Sequence, residues 1–335
     1  MKRKFSSLLV LSLVVLIVLF GIAFAAQQTG KKTGYPLATA REASAYNIIG
    51  NAIADVVSSA NNFALTAVAT GGSIQNIELM SKDHNMLALV QNDVLHWASM
   101  GEMMFNGKRN SRLRLLASLY DEPLFLVARK AANIKSPSDL RGKRICVGTE
   151  GSGNEAESIV VLDVAGLDLK KDFPGHDVNK DFRHLHGTYP EMAKLLNEGK
   201  VDACFVMGNS NFQNLRKACA NTPLEIVNFP TAMLDKLTAK YPCFWYHIIP
   251  ANTYDNDDMV QTPCVMAMLV ADYQLPDEVV TGILTALFDK ANLEKVKATN
   301  ESASRISLED ACLALSVPYH PAAVKFYTDK GKLIK

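Results

Sequence analysis

No long run of one charge sign occurs in this sequence: 35 Lys and Arg stand against 34 Asp and Glu, a formal net charge of +1. A nucleic-acid or anionic-membrane surface therefore has no electrostatic basis, and a charged partner must be recognised locally. There is no Cys-x-x-Cys pair, which removes a zinc ribbon or a redox pair. A Walker A loop, a complete dinucleotide fingerprint, a His-Glu-x-x-His helix and a Gly-x-Ser-x-Gly elbow are also missing. The seven histidines make no tight ligand pattern; His184 and His186, two apart, are expected as a surface pair on one strand face. The sequence thus nominates no metal ligand, cofactor or catalytic residue. Past the N-terminus no segment is long and apolar enough to span a bilayer, and Cys264 to Val270 has the length of a buried strand.

What is present starts with an export signal. Lys2, Arg3 and Lys4 precede an apolar stretch from Leu8 to Phe24 that ends in Ala23-Phe24-Ala25, predicting cleavage after Ala25. An uncleaved anchor is the alternative, because about 17 apolar residues approach a spanning length. Either way the body is expected in the periplasm, and once processed it does not span the membrane. No cysteine directly follows the stretch, which argues against a lipid-anchored start. The six cysteines of an exported chain invite a disulfide reading, but Cys146, Cys204 and Cys264 sit in strand-like apolar runs, where free cysteine acts as a small hydrophobe.

The 335 residues suit two medium lobes. After a polar linker, Gln27 to Thr33, strand and helix patterns alternate, which predicts an α/β architecture with mainly parallel strands. Four units share one design: a strand, a loop of small, amide or hydroxyl residues, then a helix. The strands are Phe63 to Thr70, Met86 to Val90, Arg144 to Gly148 and Val201 to Met207. Their loops are Gly71-Gly72-Ser73, Gln91-Asn92-Asp93, Thr149 to Asn154 and Gly208-Asn209-Ser210-Asn211. Open α/β sheets bind ligands at this carboxyl edge. Leu124 to Arg129 and Tyr246 to Ile249 read as crossover strands, so residues 33–125 plus 252–335 are expected to form one lobe and residues 126–251 the other.

Gly151-Ser152-Gly153-Asn154 is the sharpest local signal, because glycines admit a ligand to the backbone and a helix N-terminus favours an anion. An ordinary turn with Ser152 or Asn154 as N-cap explains the same residues. Ser73 repeats this chemistry in the other lobe, and Gln91 and Asn92 add amides. Arg41 could clamp a carboxylate, Glu42 could meet an ammonium group, and Tyr46 and Tyr246 could wall the pocket. Asn209 completes the ligand-facing candidates.

Taken in order, six stretches resemble the TAXI family, the solute receptors of a subset of TRAP transporters. They are Thr70 to Ile77, Ala88 to Val94, Leu116 to Tyr120, Asp139 to Arg144 leading to Gly151-Ser152-Gly153, Ile249 to Tyr254, and Pro318 to Ala323. The resemblance implies a two-lobe periplasmic binding protein fold, type II-like, whose cleft closes on a small anionic ligand and which docks on a TRAP membrane permease driven by an ion gradient. It implies glutamate-like amino acids, or dicarboxylates such as 2-oxoglutarate, as ligands. Carried over by position, Ser73, Gln91, Asn92, Gly151, Ser152, Gly153 and Asn154 would face the ligand. The family's glycine-rich first loop is replaced here by Ala38-Thr39-Ala40-Arg41-Glu42-Ala43-Ser44-Ala45-Tyr46, in which only the aromatic survives; the Arg-Glu pair narrows the pocket and changes its charge. Two other classes stay open: a binding protein of an ABC importer or sensor, as in the family that binds thiamine-pyrimidine precursors, and an exported hydrolase built on Ser152. The hydrolase would need a histidine base that no motif supplies.

Overall fold

The computed structural model describes residues 32–167, 183–313 and 316–333. The expected signal, residues 1–25, lies outside the described residues. Among those described, no helix is long and apolar enough to cross a membrane.

The chain opens with β1 (Thr33–Ala38), α1 (Ala45–Ala60), β2 (Phe63–Val68), α2 (Ser73–Met80), β3 (Leu87–Gln91) and α3 (Asn92–Met100). A 17-residue strand, β4 (Leu113–Arg129), leads to β5 (Arg144–Cys146), α4 (Gly153–Val164), β6 (Arg183–Leu185), α5 (Tyr189–Asn197), β7 (Ala203–Met207), α6 (Asn209–Ala218), β8 (Leu224–Ile226) and α7 (Thr231–Lys240). The return is made by β9 (Trp245–Ile249) and β10 (Val260–Asp272), and α8 (Asp277–Leu287), α9 (Lys290–Lys297) and α10 (Pro321–Asp329) follow.

Residue patterns account for these elements. Helix α1 buries Ile49, Ile53, Val56 and Val57 at helical spacing, and Ser44 caps it by accepting the Asn47 N–H at 3.3 Å. Strands β3 and β7 are buried at every position, as central strands covered on both faces must be. Helix α4 ends just before Gly166, φ +77°, whose left-handed turn stops it.

The strands form two sheets that share β4. One has the order β2-β1-β3-β10-β4, with β9 added to β10; the other runs β4-β7-β5-β6, with β8 on β4. Residues 113–123 of β4 pair with β10, and residues 124–128 pair with β7. Pro123, which lacks an N–H to donate to a ladder, stands at this handover. One hydrophobic cluster spans both sheets, and a second, around Phe125, Cys204 and Phe212, fills one face of the β7 sheet.

Three expectations change. The sheets are mixed rather than mainly parallel: β1–β3, β5–β6 and β5–β7 are parallel, whereas β10 runs antiparallel to β3, β4 and β9, and β4 runs antiparallel to β7 and β8. A strand that links two sheets enters one of them against its neighbours, and strand-helix alternation does not reveal this. Strand β9, expected as a crossover, pairs with β10 alone. His184 is buried in β6 rather than lying at the surface. All six cysteines are free thiols, and all except half-buried Cys243 are buried.

Candidate ligand-binding site

Elements of both sheets enclose a cavity of about 260 Å³. The N-termini of α1, α2, α4 and α5 all open on it: Ser44 to Tyr46, Gly72 and Ser73, Ser152 to Asn154, and Thr188 to Pro190 line its wall. The first N–H groups of a helix have no partner within it and carry a partial positive charge. The four starts are built in three ways, α1 and α4 sharing a serine cap. Ser152 Oγ caps α4 by accepting the Glu155 N–H at 3.1 Å. Thr188 and Glu191 form a reciprocal capping box on α5. Helix α2 has no side-chain cap; the Gly151 carbonyl instead accepts the N–H groups of Ile74 and Gln75, at 3.2 and 3.3 Å. With the Thr149 hydroxyl donating to the Gly71 carbonyl at 3.3 Å, this draws the loop before α4 against α2.

Below the helix starts lies a polar floor. The Tyr46 hydroxyl donates to Glu122 Oε2 at 2.8 Å, and the Gln91 amide donates to Glu157 Oε1 at 2.7 Å. Glu122 stands on β4 one residue before the sheet handover, and Glu157 on α4; Asp93, in the first turn of α3, is a third buried carboxyl within their electrostatic reach. Burial strips water from all three and raises their pKa values, Asp93 to about 7, Glu122 to about 8 and Glu157 well above its ordinary value; Asp93 reinforces the rise at Glu122 and Glu157. At pH 7 Glu122 is therefore mainly a neutral hydrogen-bonding group. Arg41 lies exposed at the rim; Glu191, at the start of α5, is held below its ordinary pKa first by its hydrogen bonds from Thr188 and last by the charge of Arg41.

Of the residues singled out in the sequence, Arg41, Glu42, Tyr46, Ser73, Gln91, Ser152, Gly153 and Asn154 line this one cavity. Asn92, Gly151, Asn209 and Tyr246 lie outside its lining. The Asn92 amide donates to the Cys243 carbonyl at 2.9 Å, and its Oδ1 accepts the Met266 N–H at 2.8 Å, so it ties α3 to β10. Gly151 spends its carbonyl on α2, and Asn209 accepts the Tyr254 hydroxyl at 3.1 Å. Tyr246 is on the outward face of edge strand β9, where its hydroxyl meets Asp235. Asn154 has a mixed role: its Nδ2 donates to the carbonyls of Val147 and Phe205 at 2.7 and 3.1 Å, joining α4 to its sheet, while its Oδ1 is buried without a hydrogen-bond partner.

The sequence reading missed Glu122, Thr188, Tyr189 and Asn211, all of which line the cavity. Two left legible signals: a carboxylate between the apolar runs of one strand, and the Thr188-Tyr189-Pro190-Glu191 capping box. Ser152 is engaged as a helix cap, and His186 is held by Glu155 Oε1 at 2.5 Å. Ser152→Ala should consequently cost about 1 kcal/mol of stability, checked by thermal unfolding; an unchanged melting temperature would mean the cap contributes nothing.

Two sheets joined through a shared strand, with a cavity at the helix starts, match the two-lobe periplasmic binding protein fold. MatC from Rhodopseudomonas palustris with bound malate aligns at a TM-score of 0.53 and 12% identity, over 82% of this chain and 89% of that one. PhnD1 from Prochlorococcus marinus in complex with methylphosphonate aligns at 0.52 and 13%, over 90% and 99%. A binding protein component of an ABC phosphonate transporter from Pseudomonas aeruginosa aligns at 0.51 and 15%, over 83% and 80%. Residues 37–331 match the NMT1-like family, and the chain belongs to it.

Proposed function

We propose that this chain is an exported solute-binding receptor that captures a small anion by closing two lobes around it and delivers it to a membrane permease. The observation that carries this reading is the convergence of four helix N-termini, from elements of both sheets, on one cavity of about 260 Å³. That arrangement favours negative charge without a metal ion. Arg41 at the rim adds to it, Glu42 beside it offsets Arg41, and Glu122, mainly neutral at pH 7, does not oppose it. The volume suits a metabolite of a few carbons rather than an oligomer.

Within this reading the lobes comprise residues 33–125 plus 252–335 and residues 126–251, residues 1–25 direct export to the periplasm, and the chain catalyses no reaction. The resemblance to TAXI receptors favours a TRAP permease as partner and a glutamate-like amino acid, dicarboxylate or 2-oxoacid as ligand. A second reading, the binding protein of an ABC importer, is supported by the likeness to a phosphonate-transporter component.

The test is a thermal-shift screen of the chain from residue 26 onward, refolded from denaturant to remove carried-over ligand. The panel is malate, 2-oxoglutarate, glutamate, methylphosphonate and a neutral sugar. A ligand that binds only the folded state must raise the melting temperature. A rise with the carboxylates is expected. A rise with methylphosphonate alone would favour the ABC reading, and a response to the neutral sugar alone would sink the anion reading.

A further inference from the structure

Outside the solute cavity, three strands bring together ligand atoms of three kinds. Asp121 on β4, His247 on β9 and Cys264 on β10 each present one oxygen, nitrogen or sulfur atom, and the three atoms lie within 4.8 Å of one another. The register explains the convergence. His247 is opposite Thr262 and Asp121 is opposite Met266, so both neighbour Cys264 diagonally. Residues two apart on a strand, and residues paired across strands, share a face. All three side chains therefore rise from the same side of the sheet, with Cys264 between the other two. The irregularities in the β10–β4 ladder fall at Ala267/Met268 and Leu269/Val270, beyond this triplet, so the local register is regular.

We propose that Asp121, His247 and Cys264 bind a zinc-class divalent cation. A carboxylate, an imidazole and a thiolate are the donors such an ion takes, at about 2.0–2.3 Å each. Tetrahedral coordination needs the three atoms to draw inward by roughly 1 Å or less from their present spacing. The fourth position is left for water. Carboxylate and thiolate together neutralise the ion; Arg305, within electrostatic reach of Asp121 and His247, opposes it, and Asp310, near Asp121, offsets Arg305. Asp121 and His247 are half-buried and give the ion access, while Cys264 is fully buried and gives the site rigidity. Asp121 lies two residues before the Pro123 handover, so the ion would pin β4, β9 and β10 together where the two sheets meet.

The experiment uses the chain from residue 26 onward, which retains the whole compact unit Gly34–Lys335. The protein is stripped with a chelator and titrated with Co²⁺, then with Zn²⁺. One Co²⁺ per chain is expected, with a near-ultraviolet thiolate-to-cobalt charge-transfer band that Zn²⁺ abolishes by displacement, and Zn²⁺ should raise the melting temperature. Cys264→Ser, close to isosteric and therefore compatible with the fold, should lose the band. His247→Gln, at a half-buried position, should weaken Zn²⁺ binding at least tenfold. Absence of stoichiometric binding, or a full-strength band in Cys264→Ser carried by one of the other five cysteines, overturns the assignment.

Discussion

Replacing Gly153 with alanine should weaken solute binding at least tenfold while leaving the ligand-free protein folded. Gly153 heads α4, and a Cβ placed there would fall inside the side-chain amide of Gln91, at the end of β3 in the other sheet. Gln91 has little freedom to retreat: its N–H donates to Ser73 Oγ at 3.2 Å, its amide donates to Glu157 Oε1 at 2.7 Å, and it is buried. Displacing it strands buried polar groups at a cost of about 1–3 kcal/mol, and each 1.4 kcal/mol is about tenfold in affinity. The alternative response is for the loop before α4 to stand off from α2, which costs the bonds from Ile74 and Gln75 to Gly151. Helix α4 itself should not suffer, because alanine is a better helix former than glycine. Titration calorimetry with the solute returned by the thermal screen measures the loss. The double variant Gly153→Ala/Gln91→Ala should recover part of it. Unchanged affinity in Gly153→Ala would show that this contact takes no part in closure.

Thermal stability should fall as pH rises from 5 to 8. Glu122, Asp93 and Glu157 have raised folded-state pKa values, so the folded protein keeps protons that the unfolded chain has already released. Unfolding then releases protons, and stability is lost between the ordinary carboxyl range near 4 and the folded values of about 7 and about 8 that burial imposes on Asp93 and Glu122. Each such group contributes a slope of up to about 1.4 kcal/mol per pH unit. Since the three share one site their effects are not additive, and a total of a few kcal/mol is expected. His186, raised by its bond to Glu155, acts in the same direction. His247 and His320, whose values burial lowers, act in the opposite direction, from their folded values up to the ordinary histidine range near 6.5. The lowered carboxylates Asp139, Glu191 and Asp202 matter only below about pH 4. Glu122→Gln keeps shape and polarity without an ionisable group, so it should flatten the profile and melt higher than the parent at pH 8. Melting curves at four pH values for both proteins decide it: a parent profile that is flat from 5 to 8 would mean that these acids ionise freely in the folded state.

The zinc-class site and the buried acids illustrate how far a linear reading reaches. His247 and Cys264 are 17 positions apart and Asp121 is more than 120 from either, so no spacing rule could group them. They meet only because β9 and β4 flank β10 in a particular register. Glu122 could be noticed as a carboxylate in an apolar strand, but its neighbours Asp93 and Glu157 come from two separate helices. Conversely, the loops at Gly71 to Ser73 and Gly151 to Asn154 were legible because their chemistry is local: a strand, a turn of small residues and a helix start occupy about ten consecutive positions.

By itself the sequence determined the α/β class, the four strand-loop-helix units and a minority of the cavity lining, chiefly the small and amide residues at the helix starts, since periodicity, caps and turn chemistry act over a few residues. Only the tertiary structure decided which amides serve the cavity and which serve the scaffold. Gln91 and Asn92 are adjacent in the chain, yet one lines the cavity and reaches the buried Glu157 and the other is tied to β10, because Gln91 ends a strand and Asn92 begins a helix. Only the fold, too, turned the return strand β10 antiparallel beside both β3 and β4, because strand direction depends on how the chain re-enters the sheet and not on the strand's own residues.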